Sequence, residues 1–327
     1  MQKSMSAANA VTKKMKAPKN SLSGKKRDNI LKRFWKTRFL FALFLPALVH
    51  YIMFKYVPMW GLRMAWYKYS VFGGWEKSTF VGWQNFQIFF NNPVWYKYTL
   101  NTFALGFQSV FISFPLTIFF ALMLNEIRSL KFKKLTQTIS YIPHFLSTVV
   151  VVALMRSLCD PVTGGINNII SALGGEPIHF FVQGKWFRPL YLISGIWQGL
   201  GWGTIVFLAA IAGVDPGLYE AARLDGAGRW RQMWNITMPT IIPTITTMFI
   251  MQIGHILGES TEKVLLMQEP VTYDYSMTLN TYVYTSGIND GQYGYSTAIG
   301  LCTNLVNLAF VLGANWLCKK VTDSGIF

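Results

Sequence analysis

The sequence predicts an all-α, polytopic membrane protein of about six transmembrane helices, and three observations carry that prediction. The first is composition. Of 327 residues, 52% are hydrophobic, 16% aromatic and only 13% charged, whereas soluble domains carry roughly 25% charged residues. Mean hydropathy is +0.30. The second is segmentation. Six stretches approach or exceed the roughly 20 apolar residues that span a bilayer: 37–56, 101–124, 137–158, 189–213, 239–257 and 295–317. The third is charge placement. Of 30 Lys and Arg residues, 21 fall in 1–38, 125–135, 214–238 and 318–327, and nine in 55–100, 156–188 and 258–294. The positive-inside rule then puts both termini in the cytoplasm.

Taken in order, residues 1–33 are rich in Lys, Ser and Asn. Such a segment has little to bury and reads as a disordered basic cytoplasmic tail. It is not a cleavable signal, because the apolar stretch starts late and runs long. The formal charge of +16 is concentrated there, beside a membrane helix, where it fits anionic lipid headgroups better than nucleic acid. Residues 34–327 form one transmembrane domain. Each span is too apolar on every side for a water-exposed helix. Their Pro and Gly residues suit membrane helices, where neighbours satisfy freed backbone groups. Pro143-His144, inside the third span, reads as a kink. The outer loops are rich in aromatics, which serve as interfacial anchors or as a docking face for a partner.

No catalytic chemistry is legible. Cys159, Cys302 and Cys318 are widely spaced, with no CxxC pair, so neither a disulfide framework nor a zinc site is indicated. His50, His144, His179 and His255 are scattered, with no HExxH, and no GxxxxGK[ST] loop occurs. The chain is expected to be a non-enzyme that binds no metal.

The polar stretch 214–238 interrupts the apolar pattern and faces the cytoplasm in this topology. Asp215-Pro216 is a helix start, an N-cap acceptor followed by proline at the first helical position. "GLYEAARL" continues as helix. Asp225-Gly226 stops it, because glycine readily adopts the left-handed conformation of a helix terminus. "AGRWRQMWNI" begins a second short helix, and Pro239 opens the fifth span. The expected result is a rigid bent knob between spans four and five.

Here the chain resembles the permease subunits of binding-protein-dependent ABC importers. Their pattern is EAA, three residues, Gly, nine residues, Ile, one residue and Leu-Pro. This chain has Glu220-Ala221-Ala222, Gly226, Ile236 and Met238-Pro239. Met238 replaces the usual Leu, and Met233 stands where carbohydrate importers often carry an aromatic. "IWQGLGWGTIVFLAAIAGVDPGLYEAARLDGAGRWRQMWNITMP" is similar to the carbohydrate branch, and "LNEIRSLKFKKLTQTISYIPHF" to its oligosaccharide-importing subgroup. The resemblance covers about residues 37–327. It implies a bacterial-type cell membrane location and a coupling helix seated in a groove of a separate ATPase subunit. Glu220 would pair with a basic residue of that subunit, Ala221, Ala222 and Asp225 would complete the helix, and Gly226 would allow the bend. Arg223, Arg229 and Arg231 would face the ATPase's acidic rim. The implied partners are two ATPase subunits that hold ATP and Mg, a second permease related to this chain, and an extracytoplasmic sugar-binding protein. No cofactor is bound by this chain itself.

Polar residues within spans usually face a pathway or a neighbouring helix. In the fifth span Gln252, His255 and Glu259 fall at i, i+3 and i+7, one helical face near its outer end. Asn304 and Asn307 share another, as do Asn101 and Gln108, while Trp197 and Gln198 lie in span four. These are the candidate substrate-pathway residues, each with interhelical bonding as the alternative role. Gly195, Gly199, Gly201 and Gly203 include a four-residue spacing for close helix approach, either within the chain or to a second permease. A secondary transporter would show paired repeats and intramembrane carboxylates, which the spans lack apart from border residues such as Glu259. A membrane scaffold would explain the polar knob but not the polar stripes.

Overall fold

The computed structural model describes residues 37–322. The tail assigned to 1–33 lies outside the described residues. The described residues fall into two units, divided after Gly61. The first holds most of one long apolar helix, α1 (Arg38–Trp66), which loosens into a π-helical turn at Ile52–Tyr56.

The second unit begins with a feature that the helical reading omits. Strands β1 (Tyr67–Ser70) and β2 (Gly74–Phe80) pair antiparallel, with Tyr67 opposite Phe80 and Lys68 opposite Thr79. The Tyr67 ring meets Trp75 and Phe80 edge-on at 5.6 and 5.2 Å, the cross-strand aromatic pairing that stabilises small ribbons. Helix α2 (Gln84–Asn91) follows. The long helix α3 (Trp95–Glu126) is longer than the 101–124 expected. Next come α4 (Leu130–Phe145) and α5 (Thr148–Leu158), then α6 (Gly165–Ala172), α7 (Gly184–Ala212) and α8 (Pro216–Leu224). The chain closes with α9 (Arg229–Ile253), α10 (Thr261–Met267), α11 (Leu279–Tyr284) and α12 (Tyr293–Thr322). Among the described residues five helices are long and apolar enough to cross a membrane, and six crossings result if α4 and α5 form one.

Two expectations need correction. The third span is not one kinked helix: α4 and α5 meet at 101°. Pro143 tightens the end of α4 into a 3₁₀ turn, Leu146 becomes extended, and Ser147 restarts the chain as an N-cap, accepting from Val150 N at 3.3 Å. Nor is the stretch after Gly228 a separate short helix. It is the first turn of α9, which runs unbroken through a π segment, Met233–Thr237, to Ile253. Pro239 therefore lies inside the fifth span. Proline lacks an N–H and its ring presses on the carbonyl four residues earlier. A widened π turn immediately before Pro58, Pro115 and Pro239 relieves that clash in three spans.

Helices α3, α7 and α9 form the centre of the second unit. One apolar cluster joins Ile118, Leu122, Phe207, Ile211, Met233 and Ile241. Another joins Leu105, Val152, Phe187, Leu190, Val264 and Met267. Gly201 lets α7 lie on α4: a β-carbon there would overlap the Ser140 carbonyl oxygen.

The loop between α5 and α7 is organised by one buried side chain. Asn167 Nδ2 donates to the carbonyls of Cys159, Asp160 and Ile178, and its Oδ1 accepts from Ile178 N at 2.7 Å. Asn167→Leu conserves size but strands these groups, at a cost of about 1–3 kcal/mol. The expected result is a lower melting temperature of the purified assembly with uptake preserved at low temperature.

Candidate functional site

The polar loop 214–238 has a defined shape. Asp215 caps α8 by accepting from Gly217 N at 2.9 Å. At the other end Gly226 takes φ +75°, with Ala227 N donating to Ala222 O at 2.8 Å and Gly226 N to Arg223 O at 3.0 Å. That is the glycine-terminated helix stop. The chain then turns directly into α9. Two bonds hold the bend: Gln232 Nε2 donates to Ala227 O at 2.7 Å, and the Tyr219 hydroxyl meets Thr237 Oγ1 at 2.8 Å. Glu220, Ala221, Arg223, Asp225, Gly226 and Arg231 are exposed, and Ala222 is half-buried. Leu224 is 90% exposed at the tip. Arg229 differs from its basic neighbours, because Nη1 donates to Glu126 O at 3.2 Å and lies 3.9 Å from that carboxylate. It ties the loop to the end of α3.

The second feature is a cavity of about 610 Å³ between α3, α7, α9, the start of α5 and the 255–263 segment. Gln108, Ser109, Gln198, Gln252, His255 and Lys263 supply much of its polar lining, while Phe114, Trp202, Met248 and Met251 supply apolar surface. Ser109 and Ser113 come from the π turn of α3, a device that redirects side chains at functional positions. Gln252 Nε2 donates to Ser109 Oγ at 2.7 Å, and Gln198 Nε2 to Leu146 O at 3.0 Å, at the α4–α5 break. Gln108 Oε1 is buried without a partner. Trp202 stacks on His144 with ring centres 4.4 Å apart and planes 4° apart.

The fold gathers some pathway candidates and disperses others. Gln108, Gln198, Gln252 and His255 line the cavity. Asn101 is buried elsewhere, with Nδ2 donating to the carbonyls of Asp274 and Met277 and Oδ1 accepting from Arg188 at 2.8 Å. Asn307 donates to Gly254 O, and Asn304 is exposed. Trp197 is about half exposed and outside the cavity lining. The expected helical face through Gln252, His255 and Glu259 does not form, because α9 ends at Ile253 and the chain turns at Gly254. Glu259 instead lies off that helix, with both carboxylate oxygens buried and lacking a hydrogen-bond partner, and burial pushes its carboxyl above the usual range.

The glycine run also divides by role. Gly201 packs within the chain against Ser140, and Gly203 packs against Thr117 while also lining the cavity. Gly195 and Gly199 line the cavity, and a β-carbon at Gly199 would meet nothing within 4 Å. A lining residue that sequence reasoning passes over is Lys263, the single cation among five acids in 258–294. It is 5% exposed and lines the cavity.

Beside the cavity, Arg156 braces the 258–294 segment. Its guanidinium bonds Glu269 at 2.8 Å and Leu266 O at 2.9 Å, and lies 4.6 Å from the Phe181 ring centre.

Comparison with known proteins places this architecture. Residues 113–323 match the family model described as "Binding-protein-dependent transport system inner membrane component". The polygalacturonan/rhamnogalacturonan transport system permease protein YteP of Bacillus subtilis is 43% identical, over 92% of this chain and 94% of that protein. Protein LplB of the same organism is 41% identical, over 89% and 92% respectively. A chain in the crystal structure of a bacterial alginate ABC transporter, in complex with alginate pentasaccharide-bound periplasmic protein, superposes with a TM-score of 0.84 at 36% identity, covering 91% of this chain and 99% of that one. The tied-down bent loop and polar cavity thus sit in a chain that aligns nearly end to end with transport permeases, and the protein belongs to the family of binding-protein-dependent transport system inner membrane components.

Proposed function

We propose that the chain forms part of the translocation pathway of an ATP-driven importer of oligosaccharides, and that the solute carries carboxylates. The observation that carries the reading is the cavity. Its polar lining is amide, hydroxyl, imidazole and ammonium, with aromatic and methionine surface between, and no Asp or Glu among the described lining residues. Amides and hydroxyls suit sugar hydroxyls, and aromatic faces suit sugar C–H surfaces. The absence of acids from the lining avoids repelling a uronate. Relatives named for polygalacturonan, rhamnogalacturonan and alginate support the same class of solute.

In this reading six spans leave both termini in the cytoplasm, and loop 214–238 docks on a separate ATPase subunit. Glu220 meets a basic residue there, with Arg223 and Arg231 beside it. Arg229 holds the loop to α3 and contributes its remaining donors to the same face. Two ATPases close on ATP and push this loop and that of a second, related permease. The cavity turns outward, accepts solute from an external binding protein and resets after hydrolysis. Preference between solutes arises from contacts that differ between the two states. The chain itself does no chemistry.

The test is gentle purification of the tagged chain from its host, with co-purifying proteins identified by mass spectrometry and uptake measured in the same cells. An ATPase, a second permease and oligosaccharide uptake lost on deletion are expected. A chain that neither purifies with an ATPase nor crosslinks to one from Arg231 in intact membranes would overturn the coupling assignment.

A further inference from the structure

We propose that the Lys263 ammonium is the group in the cavity that receives a carboxylate of the passing oligosaccharide, making this residue the determinant of charge preference. The proposal rests on the oligosaccharide reading above and goes further by assigning a residue to it.

Lys263 lies in the first turn of α10, which follows the Ser260 N-cap. It is 5% exposed, and what remains accessible lines the cavity. Its Nζ is positioned from one side, donating to Tyr191 O at 3.0 Å and lying 4.4 Å from the centre of the same residue's ring. An ammonium has three donors, so two remain after that bond. Beside them α7 carries Gly195, whose β-position lies 3.5 Å from Nζ, an ordinary contact distance. The helix leaves space next to the charge.

A nearly buried ammonium is normally paired with a carboxylate. This one is not. The ion pairs among the described residues are Lys97–Asp274, Arg156–Glu269 and Arg229–Glu126. The acids nearest in sequence do not pair with it: Glu262 is exposed, and Glu259, whose two oxygens are buried without a hydrogen-bond partner, makes none of these ion pairs. The unmatched burial lowers the lysine from its ordinary value to about 8. Tyr191 satisfies part of the charge through a carbonyl and a ring face, which leaves it held but uncompensated. A solute carboxylate would complete the pair. A single ammonium in a lining without Asp or Glu selects a uronate without the multiple contacts that would trap it.

The assembled importer, with its ATPases and partner permease in nanodiscs and without the binding protein, provides the test. Equilibrium binding of trigalacturonate is compared with that of its carboxyl-reduced neutral counterpart. Wild type should favour the acid by at least about tenfold, a charge-selected difference. K263M, close in size and uncharged, should lose the preference for the acid, and K263R should restore it. A wild-type importer that binds neither trisaccharide would remove the oligosaccharide reading itself. Wild type that binds both alike, or K263M that weakens both equally, would leave that reading standing and overturn the role of Lys263.

Discussion

Replacing Gly226 with Val is expected to abolish ATP-driven uptake while the chain still inserts and reaches normal membrane levels. Gly226 has φ +75°, a conformation that costs an L-residue roughly 1–2 kcal/mol and a β-branched one more. That is small against the stability of a folded domain, about 5–15 kcal/mol, so the spans should survive. The loop should not keep its shape. Ala227 N could no longer reach Ala222 O, and the turn from α8 into α9 would open. No neighbour lies within 4 Å of the added β-carbon, so a clash would not explain the loss. Gly226→Asn is the control, because Asn tolerates the left-handed region, and it should retain most uptake. Glu220→Lys should act by a different route. The side chain is exposed, so reversing its charge should spare the fold and oppose the pairing proposed with the ATPase. Uptake at wild-type levels by the Gly226→Val or Glu220→Lys variant, measured with labelled solute in cells of equal permease content, would remove the loop from the coupling path.

The loop is readable from sequence because its signals are local. Asp215-Pro216 and Asp225-Gly226 are caps, and caps act through their immediate neighbours, as the Asp215–Gly217 bond illustrates. The long spans are readable because hydropathy integrates over twenty residues. What escapes depends on finer or longer-range causes. The 101° break is announced by Ser147 ahead of an apolar run, yet Pro143 equally suits a kink, and the apolar average passes over both. The Gly73-Gly74 pair amid alternating aromatics signals the β ribbon, which a helix-only reading absorbs into an outer loop. Glu259 falls on a helical face only if α9 is extended beyond Gly254, where the backbone turns. Lys263 cannot be found locally at all. Its burial comes from Tyr191, 72 positions earlier, and from the glycine face of α7. The resemblance identifies the function independently of these positions, which is why errors at individual pathway residues leave the family assignment intact.

A side chain that fills the cavity without disturbing the fold should separate transport from coupling, and Gly199→Phe meets that condition. Gly199 lines the cavity, and its added β-carbon meets nothing within 4 Å. Gly201, two residues on, would instead drive a β-carbon into the Ser140 carbonyl. Close-packed interiors do not absorb such overlap, so Gly201→Phe should fail to accumulate. The Gly199→Phe importer should assemble and hydrolyse ATP when the loaded binding protein docks, because loop 214–238 is untouched. Its uptake should fall by about tenfold or more, equivalent to at least ~1.4 kcal/mol on the translocation barrier. Gly199→Ala should change uptake little, since one methyl group occupies a small part of about 610 Å³. The contrast between neighbouring glycines gives the experiment its force. A cavity that merely results from loose packing would gain stability when filled and lose no transport. A cavity that is the route of the solute would lose transport in proportion to the volume taken, with ATP hydrolysis continuing behind the block. Uptake and hydrolysis measured on the same proteoliposomes decide between the two, and retention of both by Gly199→Phe would move the route to another face of α7.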